Sequence, residues 1–234
     1  MGAVKIMGTL IPRLKEYEKS LLSEFSQEIL GNKTPIIAIG GFSGTGKDTV
    51  ASIVQKYFET RHHLSLKLIH AGEFVRKIAV KSGWDEKNMD EFMEHIKNTQ
   101  DNEFAEKVDL EIEKHALKTA LLEGGIFVGR MAPFTIGTHG TTIWLEVAAQ
   151  VIAQRIANDP TRSEYHMNEE ELIKKIQSRD QTDGDRLERI YHVSFRDKKY
   201  FDLTLRNESY SLVELEGMII KLLEEKFSTN NSED

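Results

Sequence analysis

A glycine-rich segment directly after a short β-rich run constrains this chain more than any other feature. The run covers residues 35–39, and a helical pattern with apolar residues at Val50, Val54 and Phe58 follows. Between them lies the sequence Gly41-Phe42-Ser43-Gly44-Thr45-Gly46-Lys47-Asp48-Thr49. Glycines let the backbone curl so that successive N–H groups point inward, and the following helix adds the positive end of its dipole. A strand, a loop and a helix in this order predict a phosphate-binding site.

The spacing fits the G-x-x-x-x-G-K part of the P-loop motif, in which the lysine reaches the β- and γ-phosphates of a nucleotide. We therefore expect ATP to be held by Gly41, Ser43, Gly44, Thr45, Gly46, Lys47, Asp48 and Thr49. Asp48 stands where the motif usually has a Ser or Thr that contacts Mg²⁺. Because a carboxylate also binds Mg²⁺, and Thr49 offers a hydroxyl, both residues are candidate metal ligands. The alternative for Asp48 is a capping role at the start of the helix.

Short β-rich runs alternate with longer helical patterns along most of the chain, which is typical of a parallel sheet covered by helices. We predict an α/β domain over residues 34–227, with a five-stranded parallel sheet and helices on both faces. One helical face carries Phe104, Val108 and Ile112, and Ser211 with Glu214 forms a capping box before the last helix. The predicted strands are Pro35–Ile39, Leu66–Ile69, Ile126–Val128, Thr142–Val147 and Asp202–Leu205.

The two ends of the chain fall outside this domain. Residues 1–33 are predicted to form an added helix that begins near Pro12 and ends at Gly31. Its apolar stripe either packs on the domain or binds a partner, and consists of Leu14, Tyr17, Leu21, Phe25 and Ile29. Residues 228–234 are polar, and we expect them to be disordered.

Charge and cysteine content narrow the function classes. A formal net charge of −7 argues against a broad nucleic-acid-binding surface, which needs many Lys and Arg. The absence of cysteine excludes disulfides, Cys-based zinc sites and thiol catalysis. No N-terminal stretch has the apolar core of a signal peptide, and no apolar run approaches the roughly 20 residues that span a bilayer. We expect a cytoplasmic protein, with a monomer favoured, that binds a small nucleotide and neither nucleic acid nor membrane.

Several segments beyond the loop carry a family resemblance. They include His70-Ala71-Gly72-Glu73-Phe74-Val75-Arg76 after the second strand, Val108-Asp109-Leu110-Glu111-Ile112, and Gly129-Arg130 after the third strand. In this order they resemble the archaeal-type cytidylate kinases, from about Pro35 to Phe227. The resemblance implies that Gly72, Arg76 and Arg130 lie against the acceptor nucleotide and its phosphate. It also implies that Asp109, with the segment Phe92–Asn102, lies on the base or ribose side.

The later arginines resemble those of the family's lid, which closes over the phosphates. Arg155-Ile156-Ala157 is similar to the start of the lid, and Arg179-Asp180-Gln181 and Asp185-Arg186-Leu187 are similar to the segments that close on the transferring group. Planar arginine forks suit this task, since phosphoryl transfer depends mainly on positioning and charge stabilisation. The resemblance therefore implies catalytic roles for Lys47, Arg130, Arg155, Arg179 and Arg186. It implies a lid at about 158–187 with a hinged segment at roughly 158–168.

One departure from the family leaves alternatives open. The family usually has an acidic residue before the Gly-Arg pair, where this chain has Val128. The carboxylate of Asp48 is a candidate substitute for the one that is missing at Val128. The resemblance implies ATP-dependent phosphoryl transfer to a nucleoside monophosphate, CMP or dCMP above others, with Mg²⁺. The alternatives are a kinase for another small phosphorylated acceptor and a regulatory module that binds nucleotides without transfer.

Overall fold

The computed structural model describes residues 8–85, 91–92, 102–160, 164–195, 197–208 and 210–227. Its centre is a sheet of five parallel strands in the order β2-β3-β1-β4-β5. The strands are β1 (Ile36–Gly41), β2 (Leu68–His70), β3 (Gly125–Val128), β4 (Thr141–Glu146) and β5 (Leu203–Arg206). The predicted sheet is confirmed, and each strand overlaps its predicted range with ends shifted by at most two residues.

Helices precede, connect and follow the strands. They are α1 (Lys15–Glu24), α2 (Ser26–Gly31), α3 (Lys47–His62), α4 (Ala71–Lys81), α5 (Asn102–Glu123), α6 (Ala132–Ile136), α7 (Ala149–Ala157), α8 (Glu169–Tyr191) and α9 (Leu212–Phe227). Short 3₁₀ turns cover Pro12–Leu14, Gly137–His139 and Lys198–Tyr200. No helix in the part of the chain that the structure describes has the length and apolarity needed to cross a bilayer.

Both faces of the sheet are covered by helices, as the α/β pattern predicts. Side chains of a strand alternate between faces, so Ile37 and Ile39 of β1 enter a core with α3 and α9, whereas Ala38 enters a core with α4, α5 and α6. The predicted apolar face of α3 is buried there. The capping box before α9 is confirmed, because Ser211 N donates to Glu214 Oε2 at 2.8 Å. Burial on both sides explains why the central strands are apolar throughout.

The N-terminal segment packs on the domain rather than standing apart. Leu21 is buried against Leu117 and Leu121 of α5. The expectation of one continuous helix is wrong, because the helix breaks at Phe25, whose backbone leaves helical geometry (φ −114°, ψ 30°). The centroid of the Phe25 ring lies 4.5 Å from the Lys118 ammonium of α5. Helices α1 and α2, on either side of the break, both contact α5. The segment ends at Gly31, as predicted.

Helices α7 and α8 form a hairpin with a small apolar core of its own. That core joins Ile152 and Ile156 of α7 to Leu172 and Ile176 of α8. The predicted cap of α8 is confirmed, because the Asn168 side chain accepts a hydrogen bond from Glu171 N at 2.9 Å. The predictions for residues 228–234, for residues 161–163 of the hinge and for most of Phe92–Asn102 lie outside the described residues.

Candidate active site

The loop between β1 and α3 has the curled backbone that the glycine spacing predicts. Gly44 (φ 79°) and Gly46 (φ 88°) adopt left-handed conformations, which residues other than glycine rarely adopt. A Cβ atom on Gly44 would lie 2.7 Å from Ile152, and one on Gly46 would lie 2.4 Å from the Asn207 amide nitrogen. Helix α3 begins at Lys47, so its N-terminal N–H groups face the loop. This is the geometry of an anion site.

Lys47 lies inside this loop. Its Nζ donates hydrogen bonds to the main-chain oxygens of Gly41 (3.0 Å) and Phe42 (2.7 Å). Burial and the positive charge of Arg130 lower the pKa of the Lys47 ammonium group to about 8. An anion bound beside Lys47 would oppose both effects, so the site favours a ligand of high negative charge.

A cleft of about 500 Å³ opens in front of the loop. Ser43, Gly44, Gly46, Lys47, Asp48 and Thr49 line it, together with Arg155, Arg179 and Asn207. Arg155 donates to the main-chain oxygens of Gly44 (3.3 Å) and Asn207 (3.2 Å). Asn207 Nδ2 donates to Thr45 O at 2.7 Å. The arginine of α7 and the asparagine after β5 therefore frame the loop on one side.

Arg179 of α8 faces the same cleft with an unused donor. Its Nε is buried and makes no hydrogen bond to any group that the structure describes. The nearest carboxylate is its neighbour Asp180, whose Oδ1 is 3.8 Å away. A buried unpaired donor is unfavourable, and a phosphate oxygen in the cleft would satisfy it.

A second cavity, of about 230 Å³, lies between α4, α5, β3 and α8. Asp109, Arg130 and Arg186 line it, so three predicted site residues meet there. Arg186 Nη1 is paired with Asp109 Oδ2, and Arg130 Nη1 is 2.5 Å from Asp183 Oδ2 of α8. Burial raises the pKa of the Asp109 carboxyl against the opposing effect of Arg186. The cavity is thus apolar-walled with charged groups at one side.

Arg76 and Gly72 lie near this cavity without lining it. Gly72 is exposed at the start of α4. Arg76 is also exposed and lines a separate groove with Lys77, Lys81 and His115. Their neighbours Ala71 and Val75 do line the cavity, and the roles of Gly72 and Arg76 remain predictions.

Asp48 and Thr49 offer oxygen ligands at the edge of the cleft. The Asp48 side chain is 83% exposed and lies 3.8 Å from His70 Nδ1. Among the described residues no group of three or more His, Cys, Asp or Glu side chains is arranged to hold a metal ion. Mg²⁺ is commonly bound by one or two carboxylates together with substrate phosphates, so Asp48 and Thr49 fit that mode. Val128 is a buried apolar residue at the end of β3.

Three further residues at the site were not predicted from the sequence: Asn207, Asp183 and Glu113. Asn207 directly follows the last strand, and this position at the carboxyl edge of a parallel sheet was an available signal. Asp183 and Glu113 gave no local signal, because their importance comes from Arg130 and from the second cavity, which are distant in sequence.

A phosphate loop at the carboxyl edge of a parallel sheet, with a partly buried lysine and with arginines from three other segments, defines a P-loop kinase that acts on a small molecule. Residues 36–209 match the cytidylate kinase-like family, and the chain belongs to that family. It is accordingly an enzyme of the nucleoside monophosphate kinase class. This class implies ATP and a divalent metal ion.

Individual relatives agree with this assignment. The chain is 24% identical to a cytidylate kinase of Methanocaldococcus jannaschii over 76% of its own length and 90% of that protein. It is 29% identical to a cytidylate kinase of Methanopyrus kandleri, over 75% and 86% of the two chains. An uncharacterized protein from Eubacterium ventriosum has the same fold, with a TM-score of 0.55 and 16% identity over 82% of this chain and 99% of the other.

Proposed function

We propose that the enzyme transfers the γ-phosphoryl group of ATP to CMP or dCMP, giving ADP and the pyrimidine nucleoside diphosphate. The observation that carries this proposal is the position of Lys47 and Arg130. Lys47 lines the phosphate cleft and Arg130 lines the second cavity, yet the charge of Arg130 acts on Lys47. A donor in the cleft and an acceptor in the cavity would therefore meet between two cations. The archaeal relatives named cytidylate kinases support the choice of CMP.

The transfer requires no general base, since an oxygen of the acceptor phosphate is the nucleophile. That oxygen bonds to the γ-phosphorus, and the bond from this phosphorus to the β–γ bridging oxygen breaks, which releases ADP. Lys47 would hold the β- and γ-phosphates. Arg179 would contact the transferred phosphoryl group from the cleft, and Arg130 would contact it from the second cavity. Charge-assisted hydrogen bonds of this kind contribute roughly 1.5–3 kcal/mol each.

The remaining predicted residues have supporting roles in this proposal. Arg155 would hold the loop and the donor, Arg186 would position Asp109 for the acceptor's base or ribose, and Gly72 with Arg76 would approach the acceptor phosphate. Asp48 and Thr49 would hold Mg²⁺, which offsets phosphate charge when it is bound. The α7–α8 hairpin is the proposed lid, about residues 158–187, and its closure would exclude water from the phosphates.

A panel of acceptors tests the proposal. The purified chain is assayed with ATP and Mg²⁺ against CMP, dCMP, UMP, AMP and GMP, and ADP formation is followed by a coupled enzyme assay. We expect kcat/KM to be highest for CMP or dCMP. A Lys47→Ala preparation purified in parallel measures contaminating host kinases, and it should be inactive. Absence of turnover with every nucleoside monophosphate would contradict the proposal.

A further inference from the structure

Glu113 is a buried carboxyl group in the wall of the second cavity. It lies on α5 four residues after Asp109, so both carboxylates project from one face of the helix. The residue is 7% exposed, and it lines the cavity together with Asp109, Arg130 and Arg186. The cavity therefore holds a second carboxyl group besides that of Asp109.

The surroundings of Glu113 that the structure describes hold its carboxyl group in place without pairing it with a cation. The Oγ1 atom of Thr135, a fully buried residue of α6, donates a hydrogen bond to Glu113 Oε2. Arg186 is paired with Asp109 instead, and no cation among the described residues forms an ion pair with Glu113. Burial raises the pKa of Glu113 to about 7, with Thr135 acting in the opposite direction and the charge of Asp109 adding to the rise. A buried carboxylate with one hydroxyl partner costs stability unless a further donor meets it.

The chemistry of the acceptor base supplies such a donor. Cytosine carries an exocyclic amino group at C4, which donates hydrogen bonds, whereas uracil carries an acceptor oxygen at the same place. An ionised carboxylate only accepts hydrogen bonds, so it attracts the first group and repels the second. A site built to hydrogen-bond a substrate N–H group rejects analogues that lack it, because its own polar group is then left unpaired.

We propose that Glu113, oriented by Thr135, accepts a hydrogen bond from the 4-amino group of the acceptor's cytosine and is a specificity-determining residue. This inference rests on the proposed function and deepens it, since it assigns the distinction between cytidine and uridine monophosphates to one carboxylate. The competing interpretation is that Glu113 and Thr135 form a buried structural pair. A structural pair would affect stability and turnover with all acceptors alike.

The experiment compares kcat/KM for CMP and UMP in the wild-type chain, in Glu113→Gln and in Glu111→Gln. Glutamine keeps an oxygen for Thr135 and turns an N–H group toward the base, so it should favour uracil. We expect the CMP:UMP ratio of kcat/KM to fall by about tenfold or more in Glu113→Gln. Glu111 lies on the same helix, is exposed and pairs with Lys114 at 2.6 Å, so Glu111→Gln should leave the ratio unchanged.

A second measurement uses only the wild-type chain, so it does not depend on whether the Glu113→Gln variant folds. A CMP analogue with hydrogen in place of the 4-amino group should have a kcat/KM about tenfold or more below that of CMP. Equal kcat/KM for CMP and this analogue would overturn the role of Glu113, as would an unchanged CMP:UMP ratio in a folded Glu113→Gln. Either result, with CMP still a good substrate of the wild type, leaves the proposed function standing. A wild type that does not phosphorylate CMP overturns both.

Discussion

Asn207 Nδ2 donates a hydrogen bond to the main-chain oxygen of Thr45 at 2.7 Å, and this bond fastens the segment after β5 to the phosphate loop. The main-chain N–H of Asn207 donates to Glu146 O at 3.0 Å, and its own oxygen accepts from Arg155. Asn207 thus connects the loop to the ends of two strands and to α7. Its amide also lies close enough to Gly46 to exclude a side chain there.

Replacing Asn207 by alanine should loosen the loop and weaken nucleotide binding. The lost hydrogen bond is worth about 1 kcal/mol, which corresponds to about a fivefold rise in the Kd for a non-hydrolysable ATP analogue. Isothermal titration calorimetry measures this change. Asn32→Ala is the matched control, because the Asn32 amide also donates to a main-chain oxygen, that of Leu121 at 3.2 Å, away from the loop. Equal affinities in Asn207→Ala and the wild type would contradict the prediction.

The lowered pKa of Lys47 predicts proton uptake when a nucleotide binds. At pH 8 the lysine is about half protonated, since its pKa is about 8. Phosphate groups beside it favour the charged form, so binding should take up about half a proton. Titration calorimetry in two buffers of different ionisation enthalpy measures the uptake. In Lys47→Arg the guanidinium is already charged, and uptake at pH 8 should disappear. A value near zero in the wild type would show that Lys47 is fully charged without ligand.

The local elements of this structure could be predicted from the sequence, whereas contacts between distant segments could not. The strands and the loop were predictable because alternating periodicity and glycine spacing are local signals. The extent of β2 was not, because β2 lies at the edge of the sheet as the structure describes it and pairs with β3 over just three residues. The order of the strands was not predicted either, since it depends on how each helix crosses the sheet.

The site shows the same division. The arginines were recognised from their order along the chain, but their partners were not. Arg130 pairs with Asp183 and Arg186 pairs with Asp109, over separations of more than fifty residues. The buried position of Glu113 likewise depends on α5, α6 and the sheet packing together. Such contacts are properties of tertiary packing, and no local pattern encodes them.

Asp48 should be required for turnover that depends on Mg²⁺. Its exposed carboxylate at the start of α3 lines the phosphate cleft, where it would hold the ion against the phosphates. We expect Asp48→Ala to abolish turnover across a Mg²⁺ titration. Glu59→Ala, which removes another exposed carboxylate from the same helix, should behave like the wild type. Unchanged turnover in Asp48→Ala would remove Asp48 from the metal site and leave only its capping role.

Glu18 should make the docking of the N-terminal segment sensitive to acid. Although burial acts in the opposite direction, hydrogen bonds with His139 at 2.5 Å and from Thr9 N at 2.7 Å lower the pKa of Glu18. A lowered carboxyl pKa gives stability above its unfolded value, and this stability is lost as pH falls through the folded value.

Urea unfolding at a series of pH values measures this effect. Glu18→Gln should be less stable than the wild type by about 1–2 kcal/mol at pH 7, and this difference should shrink as pH falls below the ordinary carboxyl pKa of 4.5. Glu16→Gln on the exposed side of α1 is the control, and it should change stability little. A wild-type-like Glu18→Gln at pH 7 would mean that the segment is held by its apolar contacts alone.

The ionised carboxylate of Glu113 should lower the free energy of unfolding of the chain. Its pKa rises from an ordinary 4.5 to about 7 on burial, so the folded state holds the proton more tightly than the unfolded state. Stability then falls as pH rises from about 4.5 to about 7 and stays low above that range. Glu113→Gln carries no titrating group, so it should be more stable than the wild type at pH 8, by at most about 3 kcal/mol. The variant and the wild type should have similar stabilities near pH 4.5.

Unfolding by urea at pH 4.5 and pH 8 measures this difference in stability. A Glu113→Gln variant that is less stable than the wild type at pH 8 would show that the carboxylate supports the fold. Greater stability together with lost cytosine preference would mean that the chain retains a buried charge for recognition and not for folding.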